Sequence, residues 1–448
     1  MARVFLVGSG PLPRDNPDRL GFPQLRVSWF LDAIVGANHD VRLVLLGEED
    51  KPLARQTWLG RDIQVVHVPN DSADRISHVR ALRAEFRPDR VVSAGPYEPA
   101  RVAALSVGDE PLFVDVPGDP FAEAQAKSAH AGEGDHTGAM REAWLPALCR
   151  ADAFATISRS QRAALLGQLG LLGRLGVEPA DHRWVEVVPA IYDFGGLSGG
   201  QPRSWKEKGE LVVAICGGYN TWLDTDTLLD GLLLAMEEVP ALRVISTGGG
   251  IAGHHTSSYD AFRDRALASP HGRRFTFHGW VPHQVLPGLL SAAHIGVTLD
   301  RPGAEAELGT RTRVLFYGHR GLGVFATPRS DLTRELAGIR MIQAIAPGDP
   351  EHLARMLGRA WEEGSDGTRQ ARLQGYLTSR YSAEVVLRGL LQWIEEAQRT
   401  TPAEDMGAAL VRQVTALRAE LAAVHQSPTW RASSQARRML GRLFGDET

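Results

Sequence analysis

Short apolar runs alternate with stretches whose apolar residues recur every three or four positions, and this alternation organises most of the chain. The opening "RVFLVGSGPLPRD" is a β-rich run that breaks into Gly-Ser-Gly-Pro. Leu25, Phe30, Leu31 and Ile34 then share one face of a predicted helix, and "DVRLVLLG" reads as the next buried strand. Further strands are expected at "IQVVHVP", "RVVSAG", "LFVDVPG", "AFATIS" and "VEVVPAI". Strands that are apolar throughout, with helices between them, imply a parallel sheet covered on both faces. The Gly-, Ser- and Pro-rich stretch "DFGGLSGGQPRSWKEKGE" reads as a linker.

The same grammar then restarts. "LVVAICGGYN" and "LRVISTGGG" are strands entering glycine turns, with a helix through Leu228, Leu232 and Met236 between them. "RFTFHGWV", "IGVTLD" and "GVFATP" follow. The fold class is therefore α/β, two doubly wound Rossmann-like domains facing a cleft. The expected boundaries are 1–200 for the first domain, 208–380 for the second, 381–400 for a terminal helix on the body, and 403–448 for a helical tail. Ligands of such sheets bind beyond the carboxyl ends of the strands, where the glycine turns lie. In the tail, Met406, Leu410, Val414, Leu417, Leu421 and Val424 form a heptad-like seam suited to a second copy, a partner enzyme or the body itself. Beyond it, Trp430, Met439, Leu440, Leu443 and Phe444 alternate with Arg431, Arg437, Arg438 and Arg442. That pattern suits either a peripheral contact with an anionic membrane or a solvated helix.

Composition narrows the function. A chain of 448 residues exceeds one ordinary core, which supports two domains. A formal net charge of −4 argues against a nucleic-acid binder relying on a general basic surface. Arginine outnumbers lysine 45 to 4, so an arginine by itself carries little information. Cys149 and Cys216 make neither a metal pattern nor a disulfide framework. No apolar run reaches the roughly 18 residues of a membrane span, and "MARVFLVGSG" lacks the flanks of a signal peptide. The expected location is the cytoplasm, with the inner membrane face as a variant set by the tail.

The candidate chemistry centres on "ELGTRTRVLFYGHRGLGV". A helix start offers unpaired N–H groups and partial positive charge, which favour phosphate. Gly309 would let the backbone approach an anion, Arg311 and Arg313 would clamp a diphosphate, and Glu305 or Glu307 would accept sugar hydroxyls. The plainer alternative is a helix start with glutamates in its first turn and solvated arginines. His254 and His255 lack converging partners, and Asp224 and Asp226 read as helix capping, so no metal is expected. His130 and His136 fall in a loop expected near the cleft.

From Cys216 to Pro328 the sequence resembles the donor-binding domain of GT-B glycosyltransferases, especially retaining family 4. Four features carry the resemblance in order: "CGGYNTWLD", "STGGG", "FHGWVPHQVLPGLLSAAHIGVTLD" and "ELGTRTRVLFYGHRGLGV". The resemblance implies that Gly217, Gly218, Asn220 and Thr221 face the donor's phosphates or sugar, and that the turn around Gly249 borders the nucleotide. It implies that Trp280 and the Val281 backbone hold the base. Glu305 or Glu307 would meet the transferred sugar as the catalytic carboxylate, with Gly309, Arg311 and Arg313 at the diphosphate. Three departures stand out. The first family glutamate aligns with Leu308, the second with Phe316, and "GGYNTWLDTD" holds no basic residue, so the two arginines would replace it. In the first half, Gly8 and Gly10 match a glycine loop turned to the cleft. Asp115, Asp119 and Glu123 are acceptor-side candidates, Asp119 as a base. The function implied is sugar transfer from a nucleotide-diphosphate donor to a glycan, lipid-linked or small-molecule acceptor, with retention and without metal or cofactor. The alternatives are a nucleotide-sugar 2-epimerase of the same fold and a catalytically weak scaffold.

Overall fold

The computed structural model describes residues 1–15, 21–47, 50–70, 74–131, 135–176, 182–194, 197–205, 209–251, 257–400 and 407–430. The first sheet comprises β1 (Arg3–Ser9), β2 (Asp40–Gly47), β3 (Lys51–Trp58), β4 (Arg61–Pro69), β5 (Arg90–Ala94), β6 (Leu112–Val116), β7 (Ala153–Thr156) and β8 (Val185–Val187). Their spatial order is β3-β4-β2-β1-β5-β6-β7-β8. All neighbours are parallel except β3 on β4, a polar edge strand that hydrophobic periodicity does not reveal. The central strands are buried almost without interruption, as the apolar runs require.

The second sheet comprises β9 (Leu211–Cys216), β10 (Leu242–Thr247), β11 (Phe275–Phe277), β12 (Ile295–Thr298), β13 (Gly323–Ala326) and β14 (Gln343–Ala344). Its order, β11-β10-β9-β12-β13-β14, is wholly parallel and is the Rossmann order. The helices Pro350–Glu363 and Thr368–Tyr381 complete this domain. Leu353 packs at Gly231, and Leu373 and Leu377 pack at Gly318.

The chain then returns to the first domain. Helix Arg388–Glu396 sets Trp393 against Phe113, ring centroids 5.1 Å apart, and the Ile394 carbonyl accepts a bond from Arg90 Nε. Thr400 donates through both N and Oγ1 to Asp152. The helix Gly407–Gln426 carries Leu417, Leu421 and Val424 exposed, and Arg418 pairs with Glu142 of the body. Met406 and the basic segment 431–448 lie outside the described residues. No helix among those described is long and apolar enough to cross a membrane.

Two polar contacts tie the domains together beside the cleft. Ser158 caps the helix Arg159–Leu171, accepting from Gln161 N at 2.9 Å, and donates its hydroxyl to the Leu308 carbonyl at 2.6 Å. Ser160 donates through N and Oγ to the Asp331 carboxylate at 2.9 and 2.7 Å. The second sheet's loops are thereby held against the first sheet's helices.

Candidate active site

The turn after β9 begins at Gly217 (φ +91°) and meets the turn after β10. A Cβ on Gly248 would stand 2.2 Å from the Gly217 carbonyl oxygen, so only glycine lets the two turns touch. Tyr219 N donates to the Gly249 carbonyl at 3.0 Å, and the Trp280 indole donates to the Gly250 carbonyl at 2.9 Å. Gly217, Gly218, Asn220, Gly249, Trp280 and the half-buried Val281 thus surround one wall at the carboxyl ends of β9, β10 and β11. Thr221 sits buried behind them, its hydroxyl without a partner among the described residues.

Arg313 lies against this wall. Its Nη2 donates to the Gly218 carbonyl at 2.7 Å, while its buried Nη1 has no hydrogen-bond partner among the described residues. Among the described residues no carboxylate pairs with it within 4.0 Å. A cation so placed, without its own counter-charge, suits an anion at the glycine turn.

Arg311 differs, and the expected two-arginine clamp is corrected here. Its Nε donates to Asp300 Oδ1 at 2.7 Å, and its two terminal nitrogens donate to Glu305 Oε1 and Oε2 at 3.0 and 2.8 Å. All three side chains are buried. Four of the five guanidinium N–H groups have protein acceptors once the Thr310 carbonyl is included, so Arg311 holds Glu305 instead of presenting itself to phosphate. Gly309 serves the same pair: a Cβ there would stand 2.6 Å from Glu305 Oε1, and its N–H already donates to the Glu305 carbonyl. Its expected role of letting the backbone approach an anion is corrected accordingly.

Glu305 and Glu307 stand two apart on the short helix Ala304–Leu308 and so take different faces. Glu305 turns inward, and burial raises its carboxyl above the ordinary value while Arg311 pulls the other way. Glu307 turns to solvent, 3.7 Å from Arg329, which removes it from the cleft centre. Phe316, at the position of the family's second glutamate, packs edge-on against Phe194 of the linker at 5.1 Å, in a shared buried cluster.

The first domain faces Glu305 with Tyr97, Asp119 and Glu123, and two carboxylate expectations change there. Asp119 caps the helix Pro120–Ala131, accepting from Phe121 N and Ala122 N at 3.1 and 2.9 Å and from Gln168 Nε2 at 3.1 Å. Three of its roughly four acceptor positions are engaged, which makes it first a structural cap. Asp115 is fully buried in a two-point pair with Arg26, at 2.8 and 2.6 Å, and is closed to an acceptor. Gly8 also serves packing, since a Cβ there would meet Val27 at 2.6 Å.

Glu123 is the acceptor-side carboxylate that remains. It lies deep between the domains with part of its surface open, and Gly118 leaves room for its Oε1. Desolvation pushes its carboxyl up from 4.5 to about 7. The facing Tyr97 hydroxyl opposes the rise, the Glu305 charge adds to it, Lys127 opposes it and Asp119 adds a little. Tyr97 was not foreseen from sequence. Its backbone (φ +26°, ψ −59°) is strained for a bulky side chain, and strain of this kind clusters at working sites.

Next to this cluster the first domain holds a cavity of about 520 Å³ reaching Ser9, Gly10, Tyr97, Lys127 and His136. Asp224 caps the helix Thr225–Glu238 through Thr227, and Asp226 pairs with Arg265 and Arg301. Among the described residues no three His, Cys, Asp or Glu side chains converge as a metal site. His254 and His255 fall outside the described residues, as does the side chain of His130.

Two parallel Rossmann-like domains, with their strand ends turned to one cleft and a chain end that crosses back, define the GT-B fold. Solved structures agree over nearly the whole chain. A sucrose-phosphate synthase from Thermosynechococcus elongatus is 13% identical, with 88% of this chain and 98% of that one covered at a TM-score of 0.62. Anabaena Alr3699/HepE, solved with UDP and glucose, is 13% identical over 88% and 100% of the two chains, at 0.58. The lipopolysaccharide outer core galactosyltransferase WaaB is 13% identical over 88% and 99%, at 0.54. No described protein family and no curated protein sequence matches the chain.

Proposed function

We propose that the protein is a glycosyltransferase that moves a sugar from a nucleoside-diphosphate donor to an acceptor hydroxyl. The observation that carries this is Arg313, a cation without a carboxylate partner fixed to the Gly217–Gly218 turn, with Glu305 held nearby by Arg311. The structural relatives named above include one bound to UDP and glucose and one named as a galactosyltransferase, which supports a UDP-sugar as the donor.

In this reading the diphosphate lies along the turns at Gly217 and Gly248, and Trp280 with the Val281 backbone borders the base. Asn220 and Thr221 complete the phosphate and sugar wall, and the Glu305 carboxylate accepts the sugar's hydroxyls. As the anomeric C–O bond breaks, its electron pair passes to the diphosphate. Arg313 stabilises that growing charge most strongly in the transition state. The acceptor oxygen bonds to the anomeric carbon on the same face, giving retention, and its proton leaves to the departing phosphate oxygen or to Glu123. Phe316 supplies no carboxylate to the ribose. No metal or cofactor takes part.

The wider setting follows from the tail. Exposed Leu417, Leu421 and Val424 would meet a second copy or a partner enzyme, and the arginines beyond residue 430 would meet an anionic membrane, consistent with assembly of a cell-surface glycan at its inner face. The reading is tested by titrating UDP into the protein and into Arg313→Ala. Tight binding by the first and a clear loss in the second supports it, and equal affinities remove Arg313 from the site.

A further inference from the structure

The cavity in the first domain gathers polar side chains that the protein itself leaves without partners. It sits at the carboxyl ends of β1, β2, β4 and β5, where Ser9, Leu46, Asn70 and Tyr97 line it. Its volume, about 520 Å³, falls in the ordinary range for a small-molecule site. Helix Pro120–Ala131 brings Ala124 and Lys127 to it, one turn apart on one face, and His136 stands at the start of helix Thr137–Arg150. Among the described residues, the side chains of Ser9, Asn70, Lys127 and His136 make no hydrogen bond and no ion pair within 4.0 Å.

The charges there leave a cation over. Glu98 and Lys127 are the charged residues that line the cavity, and Glu98 is already held by two guanidinium groups, those of Arg75 and Arg101. Glu123, four residues before Lys127 on the same helix, does not line it. A Cβ at Gly118 would stand 2.3 Å from Glu123 Oε1 and 3.8 Å from the Tyr97 hydroxyl oxygen, so Glu123 lies at the closed-off end of Tyr97, behind the wall. The unpaired Lys127 ammonium is not closed off in this way and keeps open surface. A half-buried cation without a counter-charge is costly, and desolvation lowers Lys127 from its ordinary value. Lysine is also a departure for this chain, which has arginine at 45 of its 49 basic positions. A compact ammonium meets an anionic group as a point charge, where a guanidinium imposes a planar fork.

We infer that the acceptor carries an anionic group, a phosphate or a carboxylate, which Lys127 holds in this cavity with Ser9, Asn70 and His136 as further donors. The inference rests on the transferase reading and adds the acceptor's class to it. Glu98 does not oppose such a ligand, since two cations already answer its charge. One lysine supplies one anchoring charge, which fits a single anionic group and leaves the rest of the space to the acceptor's body.

The test uses the full chain with excess UDP, in a buffer free of phosphate and carboxylate, and three probes: methyl β-glucoside, methyl β-glucuronide and glucose 6-phosphate. Calorimetry should show at least one of the two anions binding about tenfold tighter or more than the neutral glucoside, as one charge-assisted bond supplies. The stronger of the two identifies the group. Lys127→Met should erase that preference. Lys127→Gln is the second variant, with the same expectation, and the melting temperature of each checks its folding. Arg313→Ala should keep the preference, because the anion is held away from the glycine turns. Equal affinity of the three probes, or no binding of either anion, would overturn the inference. So would a preference that both Lys127 variants retain, or one that disappears in Arg313→Ala. UDP titration of the same samples tests the donor reading separately, since the order of the three probes does not depend on it.

Discussion

Arg311 grips Glu305 at two points, Nη1 to Oε1 at 3.0 Å and Nη2 to Oε2 at 2.8 Å, inside a buried pocket closed by Asp300. A buried carboxylate is thereby held in one orientation toward the cleft. Removing the arginine leaves two buried acidic groups without their counter-charge, which typically costs about 3–5 kcal/mol. Arg311→Ala should therefore lower the melting temperature markedly before any question of catalysis arises. Thermal denaturation checks this, and an unchanged melting temperature would mean that the three charges are not coupled.

Arg313→Ala is expected to behave in the opposite way. The side chain makes one bond to the Gly218 carbonyl and, among the described residues, no ion pair within 4.0 Å, so the fold should survive its loss. UDP affinity should fall about tenfold or more, as expected for one charge-assisted bond. In a thermal-shift titration the wild type would gain about 2.7 kcal/mol at a hundredfold excess over Kd, and the variant proportionately less. The contrast between neighbouring arginines separates a structural ion pair from a ligand-facing cation.

Glu123 makes a prediction in pH. Its carboxyl is raised in the folded protein from 4.5 to about 7, first by desolvation. A raised acid favours the protonated folded state, so its contribution to stability is fully present below pH 4.5 and is lost as pH rises toward 7. Glu123→Gln should remove that part of the pH dependence. If Glu123 takes the acceptor proton, transfer should rise through about pH 7. Tyr97→Phe should move that limb to higher pH, because the Tyr97 hydroxyl pulls the Glu123 carboxyl down. A pH–rate profile unchanged in both variants would take Glu123 out of the proton path.

How much of this was legible in the sequence depends on the range of the forces involved. The two sheets were readable because buried parallel strands must be apolar throughout, and "DVRLVLLG" and "LVVAIC" can be little else. Strand β3 was not, since Lys51–Trp58 is an exposed edge whose pairing with β4 sets its shape. Asp119 illustrates a local signal with two meanings: an aspartate before Pro120 suits a cap as well as a base, and only the tertiary contacts with Gln168 and the helix N–H groups establish the cap. The Arg311–Glu305 pair was hidden for a different reason. It depends on the chain bending at Gly309, which spacing alone does not fix. Tyr97 left no sequence signal, because its backbone conformation and its meeting with Glu123 come from the tertiary fold of the first domain, and Glu305 comes from the second.

Truncation tests the C-terminal boundary. Cutting after Thr401 keeps Thr400 on Asp152 and should leave a folded protein that binds UDP. It should also reduce oligomeric mass or salt-sensitive binding to anionic vesicles, measured by light scattering and vesicle sedimentation. Cutting after Tyr381 removes the buried Leu387, Leu390 and Ile394 from the first domain's core and should abolish folding. A truncation at Thr401 that fails to fold would place the tail within the core.

The central claim is that the cleft transfers sugar from a nucleoside diphosphate, and one measurement reaches it most directly. The purified full-length protein is incubated with a panel of nucleotide sugars, with and without EDTA, and released nucleoside diphosphate is quantified alongside an Arg313→Ala control. The account predicts slow release from at least one UDP-sugar, insensitive to chelation, accelerated by a suitable acceptor and strongly reduced in the variant. Failure to bind or turn over any member of the panel, or equal turnover by Arg313→Ala, would contradict it.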